Sequence, residues 1–331
     1  MSGPLRLLDP AEEGLLRSWG GGTWHAPCLA TRTDQRFSDP SWVFERKLDG
    51  VRLIAGSDGA GPQLWTRNGK RADAAYPEIV EALAGQGADR FVCDGEVVAF
   101  EGNRTSFAKL QRRIHLTDPR AARRTGVAVR YYVFDLLAFG GVDLTRLPLT
   151  TRKRLLHECF AFADPLRSSR HRVGDGERFF RLACSRGWEG LIAKRADRPY
   201  RAGRSRDWLK LKCVADQEFV VGGYTEPRGS RTGFGALLVG YYRDGRLHYA
   251  GKVGTGYDDR TLRDLRGRLD RMPRASSPFT EDTGERDAHW VDPELVAEVG
   301  FTEWTADGKL RHPRFSGLRT DKPASEVVRE S

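Results

Sequence analysis

A lysine beside a turn is the first candidate for chemistry in this sequence of 331 residues. Lys47 ends a short apolar run, Asp49-Gly50 predicts a turn, and Arg52 lies on the run that follows. A lysine amine attacks phosphorus only when it is unprotonated, and an ordinary lysine is almost wholly charged at neutral pH. Because burial and neighbouring cations lower a lysine pKa, a nucleophilic Lys47 predicts further cations nearby. A plain hairpin with a lysine beside its turn is the alternative.

Two further lysines occupy alternate positions in the run 208–212, Trp-Leu-Lys-Leu-Lys. Residues two apart in a strand share a face, so Lys210 and Lys212 should point the same way. Two like charges on one face are unfavourable unless an anion such as a phosphate lies between them, and they would lower the pKa of a third amine nearby. An edge strand that carries lysines against aggregation is the alternative.

Carboxylates stand at the start of two other apolar runs. Glu96 opens the run 96–100, and Glu189 precedes the run 190–195. A carboxylate in such a position can bind a ribose hydroxyl or hold a magnesium ion, and it can equally pair with a neighbouring arginine. Phe134, within an aromatic run, could stack on a nucleobase or simply belong to the core.

Lysine is scarce in this strongly basic chain. The sequence has 55 basic and 45 acidic residues, a formal net charge of +10 and a pI near 9.5. This balance favours a polyanionic partner such as nucleic acid without identifying one. Only ten of the basic residues are lysines. Since arginine can neither lose its proton nor act as a nucleophile, the positions that hold lysine are the ones to inspect.

Composition excludes several classes of protein. Hydrophobic residues make up 39% and aromatic residues 10%, which excludes wholesale disorder. No apolar run approaches the roughly 18 residues that span a bilayer, and residues 1–6 lack the pattern of a signal peptide. The five cysteines include no C-x-x-C pair, which argues against both a zinc ribbon and a disulfide framework. We expect a protein of a reducing cytoplasm.

Strands and helices must position these residues, and they alternate up to about residue 215. Residues 1–25 show no clear periodicity and are predicted to be an extension, followed by a first domain over 26–215. Runs rich in β-branched and aromatic residues predict strands at 42–46, 51–56, 91–93, 96–100, 130–137, 190–195 and 208–213. Apolar spacings of three and four predict helices at 75–86, 106–115, 151–161 and 175–187.

The pattern changes after Cys213, and we predict a second domain over 216–331. Two of its predicted strands are joined by Asp244-Gly245, a strong hairpin signal. Strands are predicted at 217–225, 235–242, 246–253, 299–305 and 310–318, and a helix at 259–272. This set of elements suits a small β-barrel of the oligonucleotide-binding (OB) type.

Seven short motifs occur in a fixed order along the chain. They are K-x-D-G-x-R at 47–52, T-R-x-G at 66–69, D-G-E at 94–96, F-D at 134–135, E-G at 189–190, K-x-K at 210–212 and R-x-D-K at 319–322. With these motifs the chain resembles the covalent nucleotidyltransferases, the superfamily of ATP-dependent DNA ligases and messenger-RNA capping enzymes. Within that superfamily it looks most like bacterial ligase C and the ligase domain of ligase D, from about Pro27 to Lys322.

The resemblance implies an α+β fold, in which an antiparallel-sheet nucleotidyltransferase (adenylylation) domain is followed by a small OB-fold β-barrel domain. It implies that Lys47 attacks the α-phosphate of ATP and then carries AMP, while Lys210 and Lys212 grip that phosphate. By the same resemblance Glu45 would help to read the adenine, and Phe134 would stack on it.

The resemblance also assigns residues to the ribose and to a metal ion. Arg52, Arg67 and Glu96 would hold the ribose of the nucleotide and later the nick. Glu189, together with Glu96, would hold the metal. ATP is therefore the implied co-substrate, and Mg²⁺ or Mn²⁺ is the implied cofactor.

The terminal motif belongs to the predicted second domain. Arg319 and Lys322, with Arg311 or Arg314, would bind the departing pyrophosphate. AMP would pass to a 5′-phosphate at a DNA break, and a 3′-hydroxyl would displace it and seal the strand. The implied partner is nicked or broken double-stranded DNA, held through its phosphates. Ku or another repair protein is a further candidate partner, and we expect a monomer without a membrane association.

Two alternatives stay open at this point. An RNA ligase or a GTP-using capping enzyme of the same superfamily would share these motifs. A non-catalytic DNA-binding protein built on the same fold would carry damaged motifs, and none of the seven is damaged. We therefore predict an ATP-dependent DNA ligase of DNA repair, located in the bacterial cytoplasm at the nucleoid.

Overall fold

The computed structural model describes residues 3–213, 215–227, 232–301 and 303–330. Contacts between residues divide the chain into two compact units, Met1–Cys213 and Val214–Ser331. The sequence predicts an extension over 1–25, and two residues of this stretch, Leu5 and Leu8, are buried in the core of the first unit. Within the described ranges, no helix has both the length and the apolarity that crossing a membrane requires.

The first unit is a mixture of strands and short helices. Its strands are β1 Arg17–Ser18, β2 Cys28–Arg32, β3 Trp42–Lys47, β4 Val51–Asp58, β5 Gln63–Thr66, β6 Arg90–Glu101, β7 Arg104–Thr105, β8 Val129–Phe139, β9 Val142–Asp143, β10 Leu166–Ser168, β11 His171–Val173, β12 Gly190–Arg195 and β13 Gly203–Lys212. Its α-helices are α1 Pro10–Leu15, α2 Pro77–Ala84, α3 Phe107–Leu110, α4 Pro119–Arg124, α5 Leu149–Cys159 and α6 Gly176–Ser185.

These strands form two sheets, and the pairs are antiparallel except β10 with β8 and β13 with β2. The first sheet has the order β1-β9-β8-β6-β4-β5, with β10 paired to β8 and β7 paired to β6. The second has the order β11-β3-β12-β13-β2. Helices α2 and α5 contribute to the core on the first sheet, and α6 contributes to a separate core on the second. A third cluster lies between the sheets and includes Ile54, Phe134 and Trp208.

Strand β6 continues through a point at which the sequence predicts a break between two strands. Asp94-Gly95 has the composition of a turn, but each residue has a specific place in the sheet. Asp94 is fully buried and forms an ion pair with Arg52 of the neighbouring strand. A Cβ added at Gly95 would lie 2.4 Å from the Tyr131 ring, so the glycine allows that ring to pack on the strand.

One disulfide bond corrects an expectation from the cysteine pattern. Cys184 and Cys213 are joined although 29 residues separate them in sequence. The chain between them contains β12 and β13, which pair antiparallel, and the return of β13 brings Cys213 back beside the end of α6. The backbone N–H of Cys213 also donates to the Glu189 carbonyl. Cys28, Cys93 and Cys159 are thiols.

The second unit is mostly β-structure. Its strands are β14 Ala215–Thr225, β15 Leu237–Arg243, β16 Arg246–Val253, β17 Pro273–Arg274, β18 Ala288–Val291, β19 Val296–Phe301, β20 Glu303–Trp304, β21 Leu310–Arg311 and β22 Arg314–Arg319, and its helix is α7 Asp259–Leu269. Strand β14 pairs with β15, β18 and β19, and β19 pairs in turn with β22. The predicted hairpin is confirmed, since Asp244 and Gly245, with φ of 53° and 72°, join β15 to β16.

A fully buried ion pair anchors α5 to the first sheet. Arg152 Nε and Nη2 lie 2.7 and 2.9 Å from the carboxylate oxygens of Asp135, and neither side chain is exposed to solvent. Nη1 donates to the carbonyls of Leu147 and Arg198. Because all these groups are buried, loss of either charged partner leaves the other without compensation.

We predict that Arg152→Met destabilises the protein by about 3–5 kcal/mol, because Asp135 would remain buried without its cation. Urea unfolding followed by tryptophan fluorescence measures this loss. The matched control is Arg130→Met, which removes the arginine of an exposed pair with Asp164 and should cost much less. Equal losses from the two variants would contradict the prediction.

Candidate active site

Two lysines meet one carboxylate across a glycine of the second sheet. Gly190 of β12 pairs with Lys47 of β3 on one side and with Lys212 of β13 on the other. Directly paired residues point to the same face, so the lysines flank a position without a side chain. Lys47 forms an ion pair with Glu189 Oε1, and Lys212 Nζ lies 3.8 Å from the same oxygen. A Cβ added at Gly190 would lie 1.9 Å from the Leu211 carbonyl oxygen, so a larger residue does not fit.

The next row of the same face carries two more of the predicted site residues. Ile192, two residues after Gly190 in β12, pairs with Glu45 of β3 and with Lys210 of β13. Lys210 therefore points to the same face as Lys212, as the alternation in the sequence predicts. The register of the three strands thus places three lysines and Glu45 in two adjacent rows on one face of the sheet.

Glu45 is buried beneath this surface and is held by three donors. Only 2% of the residue is exposed. Its Oε1 accepts from Lys153 Nζ at 2.8 Å, and its Oε2 accepts from Lys194 Nζ and Ser169 Oγ, both at 3.0 Å. Burial alone would raise the pKa of the Glu45 carboxyl, but the charges and hydrogen bonds of Lys153 and Lys194 outweigh it and lower the pKa to about 2. Glu45 is therefore ionised at neutral pH.

Lys194 connects this buried carboxylate to two aromatic rings. Its Nζ lies 4.1 Å from the centroid of the Phe134 ring and 4.0 Å from that of Trp208. Burial lowers the pKa of the Lys194 amine, Glu45 opposes that effect, and the result is a pKa of about 8. Glu45, which forms the ion pair, and Asp135 favour the charged amine, and the faces of the two rings lie against it.

Arg52 of the first sheet contacts the same two rings, with its guanidinium carbon 4.5 Å from the Phe134 centroid and 5.5 Å from the Trp208 centroid. Its guanidinium forms a bidentate ion pair with Asp94, in which Nε and Nη2 lie 2.5 and 2.6 Å from the carboxylate oxygens. The Tyr200 hydroxyl donates to the same carboxylate at 2.6 Å. Burial would lower the pKa of Arg52, but Asp94 raises it above its ordinary value. Glu96 pairs directly with Arg52 in the register of β4 and β6 and so lies on the same face.

A cavity opens between the facing surfaces of the two sheets. Five of the predicted site residues line it: Glu45, Lys47, Arg52, Glu96 and Phe134. The other lining residues are Ala30, Arg46, Leu48, Ser169, Ile192, Lys194 and Trp208. An amine nucleophile, carboxylates, guanidinium groups and aromatic rings thus surround one space. Such a combination can hold a nucleobase between rings and place a phosphate beside an amine.

Comparison with known proteins identifies the family. Residues 27–212 match the family described as "ATP dependent DNA ligase domain", which is more than half of the chain. The chain belongs to the ATP-dependent DNA ligase family. Residues 230–322 of this ligase match the family described as "ATP dependent DNA ligase C terminal region".

Relatives of this ligase include multifunctional non-homologous end joining proteins named LigD. The protein of Pseudomonas aeruginosa is 38% identical over 97% of this chain, and that of Mycobacterium tuberculosis (strain ATCC 25618 / H37Rv) is 41% identical over 92%. The chain spans only 39% and 40% of the lengths of these two relatives. A solved structure titled "mycobacterial DNA ligase D complexed with ATP and MES" is 36% identical, with a TM-score of 0.67, over 92% of this chain and 98% of that one.

These comparisons confirm the resemblance and the fold class. The ligase has the α+β fold expected of a nucleotidyltransferase domain followed by an OB-fold domain. They do not address individual site residues, whose placement comes from the geometry above. Arg67 follows β5 in a turn that closes with a hydrogen bond from the Gly69 N–H to the Thr66 carbonyl. Four predicted site residues of the first unit are not among the residues that line the cavity: Arg67, Glu189, Lys210 and Lys212.

The residues of the terminal motif form ion pairs within the second unit. Arg319 binds Asp321 through two hydrogen bonds of 3.0 Å, and its Nη1 lies 3.6 Å from Glu298. Burial would lower the pKa of Arg319, but these carboxylates raise it well above its ordinary value. Lys322 Nζ lies 2.6 Å from Glu218. Both predicted pyrophosphate ligands are therefore held by acidic neighbours of their own unit.

Several residues of the site have no role in the motif analysis. Lys153 of α5 and Ser169 of the segment after β10 donate to Glu45, and Tyr200 of the segment after β12 donates to Asp94. The scarcity of lysine is the one signal that could indicate Lys153 and Lys194. Nothing in the local sequence distinguishes Tyr200.

The ionised Glu45 predicts a specific pH dependence of stability. Its pKa in the folded ligase, about 2, lies below the ordinary 4.5, so its stabilising effect is complete above pH 4.5 and is lost as the pH falls toward 2. Glu45→Gln is neutral at every pH and should be less stable than the wild type by about 3 kcal/mol at pH 7. That difference should shrink below pH 4.5 in urea unfolding measured across the range.

The matched control for this prediction is Glu158→Gln, an exposed position at the end of α5. It should change stability little at any pH. A stability difference between wild type and Glu45→Gln that stays constant from pH 7 to the acid limit would contradict the assignment of Glu45 as a buried carboxylate.

Proposed function

We propose that this ligase joins 5′-phosphate and 3′-hydroxyl ends in duplex DNA, with ATP as co-substrate and a covalent Lys47–AMP intermediate. The observation that carries the proposal is the position of Lys47. Its side chain lines the cavity between the sheets, beside Glu189 and near Lys212. An amine in such a position can receive a nucleotide bound in the cavity.

In the first step Lys47 Nζ would attack the α-phosphorus of ATP. A P–N bond forms as the P–O bond to pyrophosphate breaks; the lysine ammonium gives up one proton before the attack and a second as the bond forms, and its nitrogen keeps one hydrogen. The AMP would then pass to the 5′-phosphate of a break, forming a diphosphate linkage and freeing Lys47. Attack of the 3′-hydroxyl on that 5′-phosphate would release AMP and leave a phosphodiester bond. Each step is an in-line substitution at phosphorus, for which the protein supplies position and charge.

The residues around the cavity support distinct roles in holding ATP. The buried Glu45 and the Phe134 ring would bind the adenine, one by its polar edge and the other by its face. Arg52 and Glu96, which point into the cavity from the first sheet, would hold the ribose, with Arg67 beside them. Lys210 and Lys212 would neutralise the α-phosphate, because they share the face that carries Lys47.

Glu189 and Glu96 would hold Mg²⁺, or Mn²⁺ in its place. Both offer hard carboxylate oxygens, one in contact with Lys47 and the other on the cavity wall. Magnesium binds proteins through one or two carboxylates together with substrate phosphates, so these residues fit the ion. Once bound, the ion would spread the negative charge of the reacting phosphate.

Arg319 and Lys322 would bind the departing pyrophosphate, with Arg311 or Arg314 in support. Their carboxylate partners Asp321, Glu298 and Glu218 keep the cationic groups in defined positions. We assign residues 26–215 to adenylylation and residues 216–331 to an OB-fold domain that serves the same reaction, with 1–25 as an extension.

The biological setting that we propose is DNA repair by end joining, because the LigD relatives carry that function in their names. Nicked or broken duplex DNA would be the substrate, in the cytoplasm at the bacterial nucleoid. Ku or another repair protein would recruit the ligase, which would act as a monomer.

The proposal predicts that Lys47→Arg abolishes self-adenylylation, because arginine keeps the charge and cannot act as the nucleophile. Protein is incubated with ATP labelled at the α-phosphate and Mg²⁺, and then with nicked DNA. Wild type should take up label and transfer it to the DNA. In the variant the rate of label uptake should be lower by at least about 10³-fold. Lys252→Arg, at an exposed ion pair of the second unit, is the matched control and should label normally.

The same assay separates the proposal from its alternatives. Label taken from GTP and not from ATP would contradict the assignment, as would sealing of nicked RNA with no sealing of nicked DNA. Persistent labelling of Lys47→Arg would assign the nucleophile to another residue.

A further inference from the structure

A group of arginines surrounds the turn that follows α6, on the first unit. Trp188, in this turn, has the guanidinium carbon of Arg46 at 4.4 Å from its ring centroid and that of Arg186 at 5.5 Å. Phe179 of α6 meets the Trp188 ring edge-on, with the centroids 6.0 Å apart. The tryptophan is therefore a platform on which two guanidinium groups rest.

A third arginine, Arg104 of β7, lies beside the same turn. Arg46 Nη2 donates to the Asn103 carbonyl at 3.2 Å, which sets the turn between β6 and β7 beside β3. Arg104, the next residue, extends its guanidinium over Gly187, where an added Cβ would lie 2.4 Å from Nη2. We refer to Arg46, Arg104, Arg186 and Trp188 as the Trp188 surface.

No carboxylate neutralises this surface within the described parts of the chain. None of its three arginines forms an ion pair there, whereas Arg52 and Arg152 of the same unit each bind a buried aspartate. The Nε of Arg46 is buried and makes no hydrogen bond to a described residue, and burial lowers the pKa of its guanidinium. Three like charges held together by rings and carbonyls are unfavourable until an anion arrives.

We propose that the Trp188 surface binds the phosphodiester backbone of duplex DNA beside the break. The inference rests on the proposed function, since it takes DNA as the ligand, and it adds a contact that the seven motifs do not include. Guanidinium groups present two parallel N–H donors to a phosphate, and stacking on a ring fixes their orientation. Two guanidinium groups and Phe179 already contact the Trp188 ring, which favours phosphate binding over base stacking.

The position of Arg46 connects this surface to the candidate active site. Arg46 precedes Lys47 in β3 and also lines the cavity. Successive residues of a strand point to opposite faces, so the Arg46 guanidinium lies at Trp188 and not beside the Lys47 amine. A duplex whose 5′-phosphate lies at Lys47 would therefore bring a phosphate further along the strand, past the end of β3, to Arg46, Arg104 and Arg186. Phosphate contacts of this kind fix the position of the duplex without reading its sequence.

The test compares two double variants that remove the same charge from neighbouring places. Arg104→Gln with Arg186→Gln alters the Trp188 surface and leaves the cavity residue Arg46 in place. Arg178→Gln with Arg181→Gln alters two exposed arginines of α6 outside the surface and is the matched control. Binding of a fluorescent nicked duplex is measured by anisotropy over a series of KCl concentrations. The fraction of protein that self-adenylylates with ATP gives the active concentration.

For the Arg104/Arg186 variant we expect weaker binding and a salt slope, log Kd against log [KCl], smaller by about 2, because each lost phosphate contact removes about 0.9. The Arg178/Arg181 control should keep a slope within about 0.5 of the wild type. Equal changes in both variants, or a wild-type slope in the first, would overturn the inference. Failure of the wild type to self-adenylylate would instead overturn the proposed function.

Discussion

The site depends on one row of residues in the second sheet, in which a glycine stands between two lysines. Gly190 pairs with Lys47 and with Lys212, and the absence of a side chain between them lets both amines approach Glu189. A larger residue would meet the Leu211 carbonyl at 1.9 Å and separate the strands. Two like charges on one row are unfavourable without an anion, and the Glu189 carboxylate supplies one. The sheet register, more than any single side chain, therefore sets where the chemistry can occur.

Near that row, the ligase holds charged groups that are buried or half-buried. Glu45 is held by Lys153 and Lys194, and Arg52 by Asp94. Burying ions is costly, and such networks persist only when the geometry satisfies each member. Here the result is a cavity wall whose polar groups are already oriented. A nucleotide that enters meets fixed donors, acceptors and rings, so little ordering is left for the moment of binding.

Much of this site could be predicted from sequence, because many of the candidate site residues lie in short motifs of two to six residues. Lys47, Glu189 and Lys212 each lie at a strand end beside a glycine or in an alternating run, and local patterns of that kind survive in a single sequence. Lys153 and Tyr200 could not be predicted in the same way, since they reach the site through tertiary packing across the sheets.

The errors have the same physical origin. The disulfide Cys184–Cys213 closes over 29 residues, and only the antiparallel return of β13 brings its ends together. Asp94-Gly95 has the composition of a turn, yet a buried ion pair and a close ring contact keep it within a strand. The order of the motifs predicted the family and the fold correctly. The other side chains of the site, such as Lys153 and Tyr200, reach it through contacts between residues far apart in sequence.

The most direct measurement is the mass spectrum of peptides from the wild-type ligase after incubation with ATP and Mg²⁺. The account predicts that AMP is attached, through an acid-labile bond, to the peptide that contains Lys47 and to no other. AMP on Lys194, Lys210 or Lys212 would contradict it, because the sheet register would then present the wrong amine to the nucleotide.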